Sequence, residues 1–482
     1  MGTELSAAAA PTLRRAVSRW EIVGFALNDV IGSGVYLLPA SAAALLGGAS
    51  VGAVVVAGFA VLLLVLCFAE AASHFDGPGS AYLYARAAFG ELVGFEVGWM
   101  TWLARVASVA SLSVGFAQAL GYLWPGADAG WGKVLAIVLP LLGLTVINVA
   151  GIKEGVRTAV FLAIAKIVPL LVFVVAGTFA VLADWQRHAS SLGGSLGDAA
   201  AAGSAPAAAG WHGLGEAALL LLFAYAGFEN TAAPAGEFKN PRRDIPFALL
   251  AQIAIVTVLY SAVQWVALRT LPGLAAAKTP LADAARLFLG PWGGWLLTFG
   301  AVVSILGTNG NTVLSGPRYL FALARAGFGP RFLAAVHPRF RTPAVAVLTQ
   351  TAIALPLALS GSFVGLAALS VVARLATYLG TAAAVPVLRR KLGTPAGAWR
   401  LPGGPAIPAA AILLCIGLAA SATRENLIAG AAAIVAGLAL FATRRPPAAP
   451  PPDEPIPART AAAGAAQGSP AASPAPPGNK RA

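Results

Sequence analysis

Long apolar stretches, separated by short polar segments, run along most of the chain. Each stretch is close to the roughly 20 residues that a helix needs to cross the hydrocarbon core of a bilayer. The pattern predicts an all-α integral membrane protein, because a chain in lipid satisfies its backbone hydrogen bonds most simply within helices. We place about twelve transmembrane spans, at residues 21–44, 49–72, 94–123, 133–150, 158–183, 213–236, 246–270, 292–326, 343–359, 362–388, 406–421 and 424–443.

Two of these spans carry polar residues and glycines at their centres. Span 1 reads GFALNDVIGSGVYLLPA over residues 24–40, and span 6 reads LLLLFAYAGFENTAAPAG, with its interruption at AGFEN. The two interruptions lie five spans apart. They predict two inverted five-helix repeats, spans 1–5 and 6–10, each contributing one broken helix at the midplane, with spans 11 and 12 added.

The break in span 1 has the chemistry of a binding site. A broken helix exposes N–H groups at the start of one half and carbonyls at the end of the other, and the N–H end carries positive partial charge. Gly32 and Gly34 let the backbone leave helical geometry, and Ser33 adds a hydroxyl donor. A small zwitterion suits such a site. Helix packing is the commoner use of a lone Gly-x-Gly, but the matching break in span 6 favours a functional one.

Composition and charge support a membrane protein and indicate its orientation. Hydrophobic residues make up 58% of the chain and charged residues 11%, against about 45–50% and about 25% in soluble proteins. With the N-terminus inside, 23 of the 32 Lys and Arg residues lie on the inner side and 6 on the outer side. The positive-inside rule then predicts that both termini are cytoplasmic. The net charge of +13 therefore follows the topology and does not indicate nucleic acid as a partner.

The chain is predicted to hold one folded domain. Residues 1–18 are expected to be a cytoplasmic N-terminal arm, residues 19–445 the transmembrane domain, and residues 446–482 a disordered cytoplasmic tail rich in Pro and Ala. Cys67 and Cys415 fall in apolar spans, so no disulfide framework is indicated.

Several function classes lack their sequence signals. No HExxH is present, and the four histidines lie near span ends or in loops, so neither an enzyme nor a metal site is predicted. The chain has no filter sequence of the kind that lines a channel pore. It also has no nucleotide-binding loop, so transport driven directly by ATP is not predicted. A secondary transporter without cofactors remains, and saturable flux would distinguish it from a receptor that only binds.

Four segments resemble the amino acid–polyamine–organocation superfamily, which has the leucine-transporter-like fold. The resemblance covers roughly residues 18–445 and implies an amino acid permease of the plasma membrane that works by alternating access. The segments are, in chain order, GFALNDVIGSGVYLLPA, AEAASHFDGPGSAYLYARAAFGELVGFEVGW, FAYAGFENTAAPAGEFKNPRRDIPFAL and GPRYLFALARAGFGPRFLAAVHPRFRTPAVAV.

The resemblance also implies roles for individual residues. Ser33 and Gly34 would hold the α-carboxylate of the substrate. Phe223 stands at the place of an aromatic lid, Glu229 matches a gating acid, and Asn311 lies near a gating position that we include in the substrate site. The α-amino group would be held by the backbone carbonyls of Val30, Phe223, Ala224 and Ala226.

The side-chain end of the pocket is expected to be small and apolar. Val109 stands where arginine exchangers of the superfamily have an amide for the guanidinium group, and Ala107 lies beside it. This departure counts against an arginine exchanger and favours substrates with uncharged side chains.

Charged residues inside the spans are functional candidates. Lys166 lies eight residues from Thr158, hence roughly 12 Å deep; it could snorkel to the interface or titrate. The resemblance favours titration, because proton-coupled members have a lysine where sodium-coupled relatives hold an ion. Asp29 could pair with Lys166 or Arg105, either statically or as part of coupling, and Arg374 has no assigned partner.

These observations predict proton-coupled symport of neutral amino acids. The alternative is an antiporter for cationic amino acids or polyamines, which would need acidic or amide groups at the side-chain end of the pocket. The partners expected are an amino acid, protons and membrane lipid.

Overall fold

A computed structural model of the protein describes residues 17–75, 81–150, 156–191, 211–232, 235, 238–393, 395, 398–401 and 403–444. The predicted C-terminal tail and nearly all of the predicted N-terminal arm lie outside these residues. The described helices are α1 Arg19–Val30, α2 Ser33–Leu46, α3 Ser50–Ser73, α4 Ala81–Phe89, α5 Glu91–Leu120, α6 Gly130–Ala150, α7 Val156–Ser191, α8 Trp211–Tyr225, α9 Pro241–Thr270, α10 Pro280–Arg325, α11 Ala344–Ser360, α12 Phe363–Leu392, α13 Ala406–Ala420 and α14 Arg424–Ala442.

The helices account for the twelve predicted spans. Eight helical stretches of the described chain are long and apolar enough to cross a membrane, and one of them, Ser33–Ser73, contains both α2 and α3. The helices α8, α11 and α13 are apolar but shorter. The prediction of an all-helical protein with about twelve transmembrane helices is confirmed.

Large apolar side chains on the outer helices face away from the protein. Phe161 and Phe179 of α7 are each 69% exposed, and Val258 of α9 is 71% exposed. Exposed apolar surface of this extent is unfavourable in water but is the ordinary state in lipid. The helix surfaces therefore independently indicate a membrane-embedded bundle.

Both predicted helix breaks are present. Between α1 and α2, Ile31 is extended and Gly32 has φ −125° and ψ −139°. After α8 the chain turns at Gly227, whose φ of 128° favours glycine, and continues into a single 3₁₀ turn, Phe228–Asn230. A Cβ atom at Gly227 would also lie 2.7 Å from the carbonyl oxygen of Asp29, so glycine is needed where the two breaks meet.

The packing of the helices follows an inverted repeat. Helices five spans apart contact each other in four pairs, namely α2 with α8, α3 with α9, α5 with α10 and α6 with α11. The contact between α5 and α12 is matched by the contact between α10 and α7. The contact between α1 and α7 is likewise matched by the contact between α8 and α12. Such matched contacts are expected when a two-fold operation maps span n onto span n + 5.

A glycine at the same place in each half supports the repeat. Gly90 joins the short helix α4 to α5 with φ 92° and ψ −170°. Gly290 interrupts α10 after a short first segment with φ 70° and ψ −167°. Both conformations favour glycine, so the third span of each half is preceded by a short helix and the same glycine corner.

An ion pair ties α3 to α12 near the ends of these helices. The Arg389 side chain donates to both carboxylate oxygens of the buried Glu70, at 2.5 and 2.7 Å. Glu70 also accepts a hydrogen bond from the backbone N–H of Leu401 at 2.8 Å. The carboxylate thereby holds the segment after α12 against α3.

We expect Arg389→Gln to lower the free energy of unfolding by about 3–5 kcal/mol, because it leaves a buried carboxylate without its cation. Thermal unfolding of the purified protein in detergent measures the loss. Arg390→Gln is the matched control, since Arg390 is the exposed neighbour and should change little. Adding Glu70→Gln to Arg389→Gln should recover part of the loss; an unchanged melting temperature in Arg389→Gln would contradict the assignment.

Candidate functional site

A cavity lies where the two broken helices meet. Because these helices come from opposite halves of the repeat, the cavity sits at the repeat interface. Its first two walls are the backbone-rich parts of the breaks. Span 1 contributes Asp29, Val30, Gly32, Ser33 and Gly34, and span 6 contributes Phe223, Ala224, Ala226 and Gly227.

The remaining walls come from three intact helices. They are mostly polar: Arg105, Ser108 and Leu112 from α5, Thr308 and Thr312 from α10, and Arg374 from α12. Arg105, Ser108 and Leu112 are spaced by three and four residues, so they share one face of α5.

The start of α2 offers donors to the cavity. The Ser33 hydroxyl is buried and has no hydrogen-bond partner among the described residues. The first N–H groups of α2 follow Gly32 without a side-chain cap, and the N-terminus of a helix binds anions well. Gly34 brings this end close to α8, since a Cβ atom there would lie 2.7 Å from the Cα atom of Ala224. The geometry fits the predicted carboxylate site.

The carbonyls of the breaks converge on α9 and α10. The hydroxyl of Tyr260 donates to the carbonyls of Val30 at 3.3 Å and Ala224 at 3.2 Å. Ser304 and Thr308 both donate to the carbonyl of Ile31. A carbonyl oxygen has two lone pairs, so the carbonyls of Val30 and Ala224 keep capacity for a further donor such as an ammonium group. Sequence analysis missed Tyr260, because a single tyrosine in an apolar span carries no distinguishing signal.

Lys166 lies at the centre of the bundle. Its side chain is fully buried, at 0% exposure, so it does not snorkel to the surface. The ammonium group donates to the carbonyl of Asn28 at 2.8 Å and to the hydroxyl of Thr308 at 2.9 Å. Its own carbonyl accepts a hydrogen bond from Tyr36. One cation on α7 thus connects the end of α1 to α10.

Asp29 is held by two amides. Its carboxylate accepts hydrogen bonds from Asn230 at 2.5 Å and from Asn311. Asn311, predicted for the substrate site, contacts Asp29 and is not among the residues that line the cavity. Arg105, which the sequence suggested as a partner of Asp29, lies near a different acid.

That acid is Glu229, which carries an ion network. Its carboxylate forms an ion pair with Arg374 of α12 and lies 3.7 Å from Nη2 of Arg105 of α5. It also accepts hydrogen bonds from the backbone N–H of Gly227 at 3.0 Å and from Tyr378 at 3.4 Å. The break in span 6 is therefore tied to two neighbouring helices, and Glu229 is the partner of Arg374 that the sequence left open.

The residues predicted for the apolar end of the pocket do not line this cavity. Val109 is buried in a cluster with Leu141 and Val313, and neither Val109 nor Ala107 is among the lining residues. The wall that α5 contributes instead contains Arg105 and Ser108, which sequence analysis did not assign to the side-chain end of the pocket.

An aromatic pair separates this cavity from a second one. Phe223 lines the first cavity, and its ring meets that of Phe363 edge to face at 6.1 Å between centroids. Phe363 lines the second space, together with Leu37 and Gln118. The ring of Phe223 thus lies between the two spaces.

The start of α1 is anchored to α9 and to the segment before it. Val17 forms a backbone bridge with Phe238, and its carbonyl accepts from the backbone N–H of Lys239 at 3.1 Å. Arg19 pairs with Asp244 at the start of α9, at 3.2 Å.

A twelve-span helical bundle with a polar cavity between two broken helices is typical of a membrane transporter. Residues 17–441 match the family described as "Amino acid permease", and the chain belongs to this family, within the amino acid–polyamine–organocation superfamily.

Similar proteins come from bacteria and plants. "Branched-chain amino acid permease BcaP" of Bacillus subtilis (strain 168) is 29% identical over 427 residues, which cover 84% of this chain and 87% of that protein. "Serine/threonine exchanger SteT" of the same organism is 30% identical over 394 residues, covering 80% and 86%. "Cationic amino acid transporter 4, vacuolar" of Arabidopsis thaliana is 27% identical over 393 residues, covering 78% and 64%.

We expect Gly34→Ala to reduce amino acid uptake at least about tenfold, because the new methyl group would push α2 and α8 apart. Uptake of a panel of labelled L-amino acids into proteoliposomes measures the loss. Gly52→Ala is the matched control, since a Cβ atom there meets nothing within 4 Å. Uptake by Gly34→Ala at the level of Gly52→Ala would show that the close approach of the two helices is not needed.

Proposed function

We propose that this protein is a secondary active transporter that moves amino acids across the plasma membrane by alternating access, coupled to protons. The observation that carries the proposal is the ammonium group of Lys166, which joins the end of α1 to α10 beside the cavity. Membership of the amino acid permease family supports the substrate, and the geometry of this lysine supports the coupling.

The cavity has complementary groups for both ends of an amino acid. Donors at Ser33 and at the start of α2 suit an α-carboxylate. Carbonyls of Val30, Ala224, Phe223 and Ala226, which belong to the breaks, suit an α-ammonium group. Because these groups belong largely to the backbone, they select the common part of an amino acid and leave the side chain to other walls.

Lys166 can couple transport to protons because its charge holds two elements together. When it is protonated, its donors keep α1 against α10. When it releases its proton, the ion–dipole contact with the carbonyl of Asn28 weakens, and α1 can swing away from α10. Two titratable groups lie on the helices that contact Lys166. Asp29 on α1 follows Asn28, whose carbonyl accepts from Lys166, and Tyr36 on α2 donates to the carbonyl of Lys166. Asp29, which also lines the cavity, is the acid through which substrate and proton would influence each other.

The proposed orientation places both termini in the cytoplasm, following the excess of basic residues on that side. The contacts of Val17 and Arg19 then close the cytoplasmic side, and the pair Phe223–Phe363 closes the outer side. Movement of this aromatic pair would admit substrate from outside, and release of α1 would deliver it inside.

The alternative is an exchanger of cationic amino acids or polyamines. One relative is named as a cationic amino acid transporter and another as an exchanger. Each part of this alternative therefore has a relative that supports it. Against a cationic substrate stands Arg105 in the cavity wall, whose Nη2 atom has no hydrogen-bond partner among the described residues, since like charges in a desolvated cavity repel strongly. Symport of uncharged or anionic amino acids therefore fits this wall better.

We expect Lys166→Met to abolish concentrative uptake driven by a proton gradient in sodium-free proteoliposomes, since methionine cannot change charge. Exchange between preloaded vesicles and medium should persist, because it needs no net proton movement. Lys133→Met, on α6 and not among the residues that line the cavity, is the control and should accumulate substrate normally. Lys166→Met protein that still accumulates substrate against its gradient would refute proton coupling through this lysine.

A further inference from the structure

The Nη2 nitrogen of Arg105 is a donor in the cavity wall that the backbone groups of the two breaks do not satisfy. Arg105 lines the cavity and is 2% exposed, and its Nη2 atom has no hydrogen-bond partner among the described residues. The ion contact to Glu229, at 3.7 Å, lies beyond hydrogen-bond distance. A buried charged donor without an acceptor is unfavourable, so an occupant of the cavity is expected to supply one.

The two acids nearest the cavity, Glu229 and Asp29, already have cationic or amide partners. Glu229 pairs with Arg374 and also accepts hydrogen bonds from Gly227 and Tyr378. Asp29 accepts from the amides of Asn230 and Asn311. Two arginines therefore face the cavity region with one carboxylate between them, and the wall remains rich in donors.

The neighbouring polar groups of α5 are also satisfied. The Ser108 hydroxyl bonds with Ser370 at 2.7 Å and accepts from Arg374 at 2.8 Å. Of the polar α5 residues that line the cavity, Arg105 is thus the one with a donor left over. The second orphan in the cavity is the Ser33 hydroxyl at the start of α2, which belongs to the proposed carboxylate site.

The Ser33 hydroxyl and Nη2 of Arg105 are two separate unsatisfied donors in one cavity. A substrate with two acceptor groups would satisfy both. Resting on the proposed function, we infer that Arg105 is a specificity-determining residue that donates from Nη2 to an oxygen on the substrate side chain. The substrate class is then an L-amino acid with a short side chain that carries an acceptor oxygen, in a hydroxyl, amide or carboxylate group. Aliphatic side chains leave Nη2 unsatisfied, and cationic side chains are repelled by it.

Threonine and valine provide the test, since they have nearly the same shape and differ in the acceptor oxygen. A site that hydrogen-bonds a substrate oxygen rejects the analogue that lacks it much more strongly than an apolar pocket distinguishes similar shapes. We expect the wild-type protein in proteoliposomes to take up threonine with a KM at least about tenfold lower than that of valine. Lysine should not compete with threonine.

The variant Arg105→Met should reduce this preference to within about threefold by raising the KM for threonine while leaving that for valine unchanged. Arg105→Gln, which keeps a donor, should retain part of the preference. Arg286→Met, at an exposed site on α10, controls for the loss of a positive charge and should behave like wild type.

Three results would overturn the inference: valine bound as tightly as threonine by wild type, lysine competing as strongly as threonine, or equal losses for threonine and valine in Arg105→Met. Equal losses would assign Arg105 to the common part of the amino acid. Absence of uptake of any amino acid by wild type would refute the proposed function instead.

If Arg105→Met does not fold, thermal stabilisation of the purified wild-type protein by threonine and by valine decides the question. Greater stabilisation by threonine at equal concentration supports the inference, and equal or smaller stabilisation contradicts it.

Discussion

A backbone group that leaves a helix within a bilayer must find another partner, and the centre of this protein is arranged around that constraint. The carbonyls freed at the end of α1 are taken up by Lys166, Tyr260, Ser304 and Thr308. At the start of α2 the Ser33 hydroxyl has no such partner among the described residues, and the helix has no side-chain cap. The proposed carboxylate site is thus the part of the break that these side chains do not satisfy.

The two breaks are supported by related devices. Lys166 on span 5 contacts the break of span 1, and Arg374 on span 10 pairs with Glu229 at the break of span 6. Each broken helix is thus held by a cation from the last span of its own half, as an inverted repeat permits. The chemistry differs between the halves. The lysine meets a carbonyl and a hydroxyl, so its hold depends on its own charge, whereas the arginine meets a carboxylate and is charged at any physiological pH. Under the proposed proton coupling, this asymmetry would let one half respond to protons while the other remains fixed.

Buried ion pairs of this kind favour movement between discrete arrangements. Breaking one without replacing it leaves an uncompensated charge in a low dielectric, which is strongly unfavourable. Glu229, Arg105 and Arg374 connect α5, α12 and the turn after α8, so these elements move together or exchange partners. A substrate oxygen that reaches Arg105 would enter the same network, which links recognition of the side chain to the position of the broken helix.

Much of the architecture was determined by the sequence alone. Apolar runs of about 20 residues marked the spans, and the breaks at Gly32 and Gly227 followed from polar residues inside them. The identity of the partners was decided only by the tertiary structure: Asn230 and Asn311 on Asp29, Glu229 on Arg374, and Tyr260 on two carbonyls. The residues of α5 that form the cavity wall were likewise decided only by the tertiary structure. In a soluble helix the polar face marks the outside, but lipid and protein interior are both apolar, so the pattern along α5 does not show which face meets the cavity.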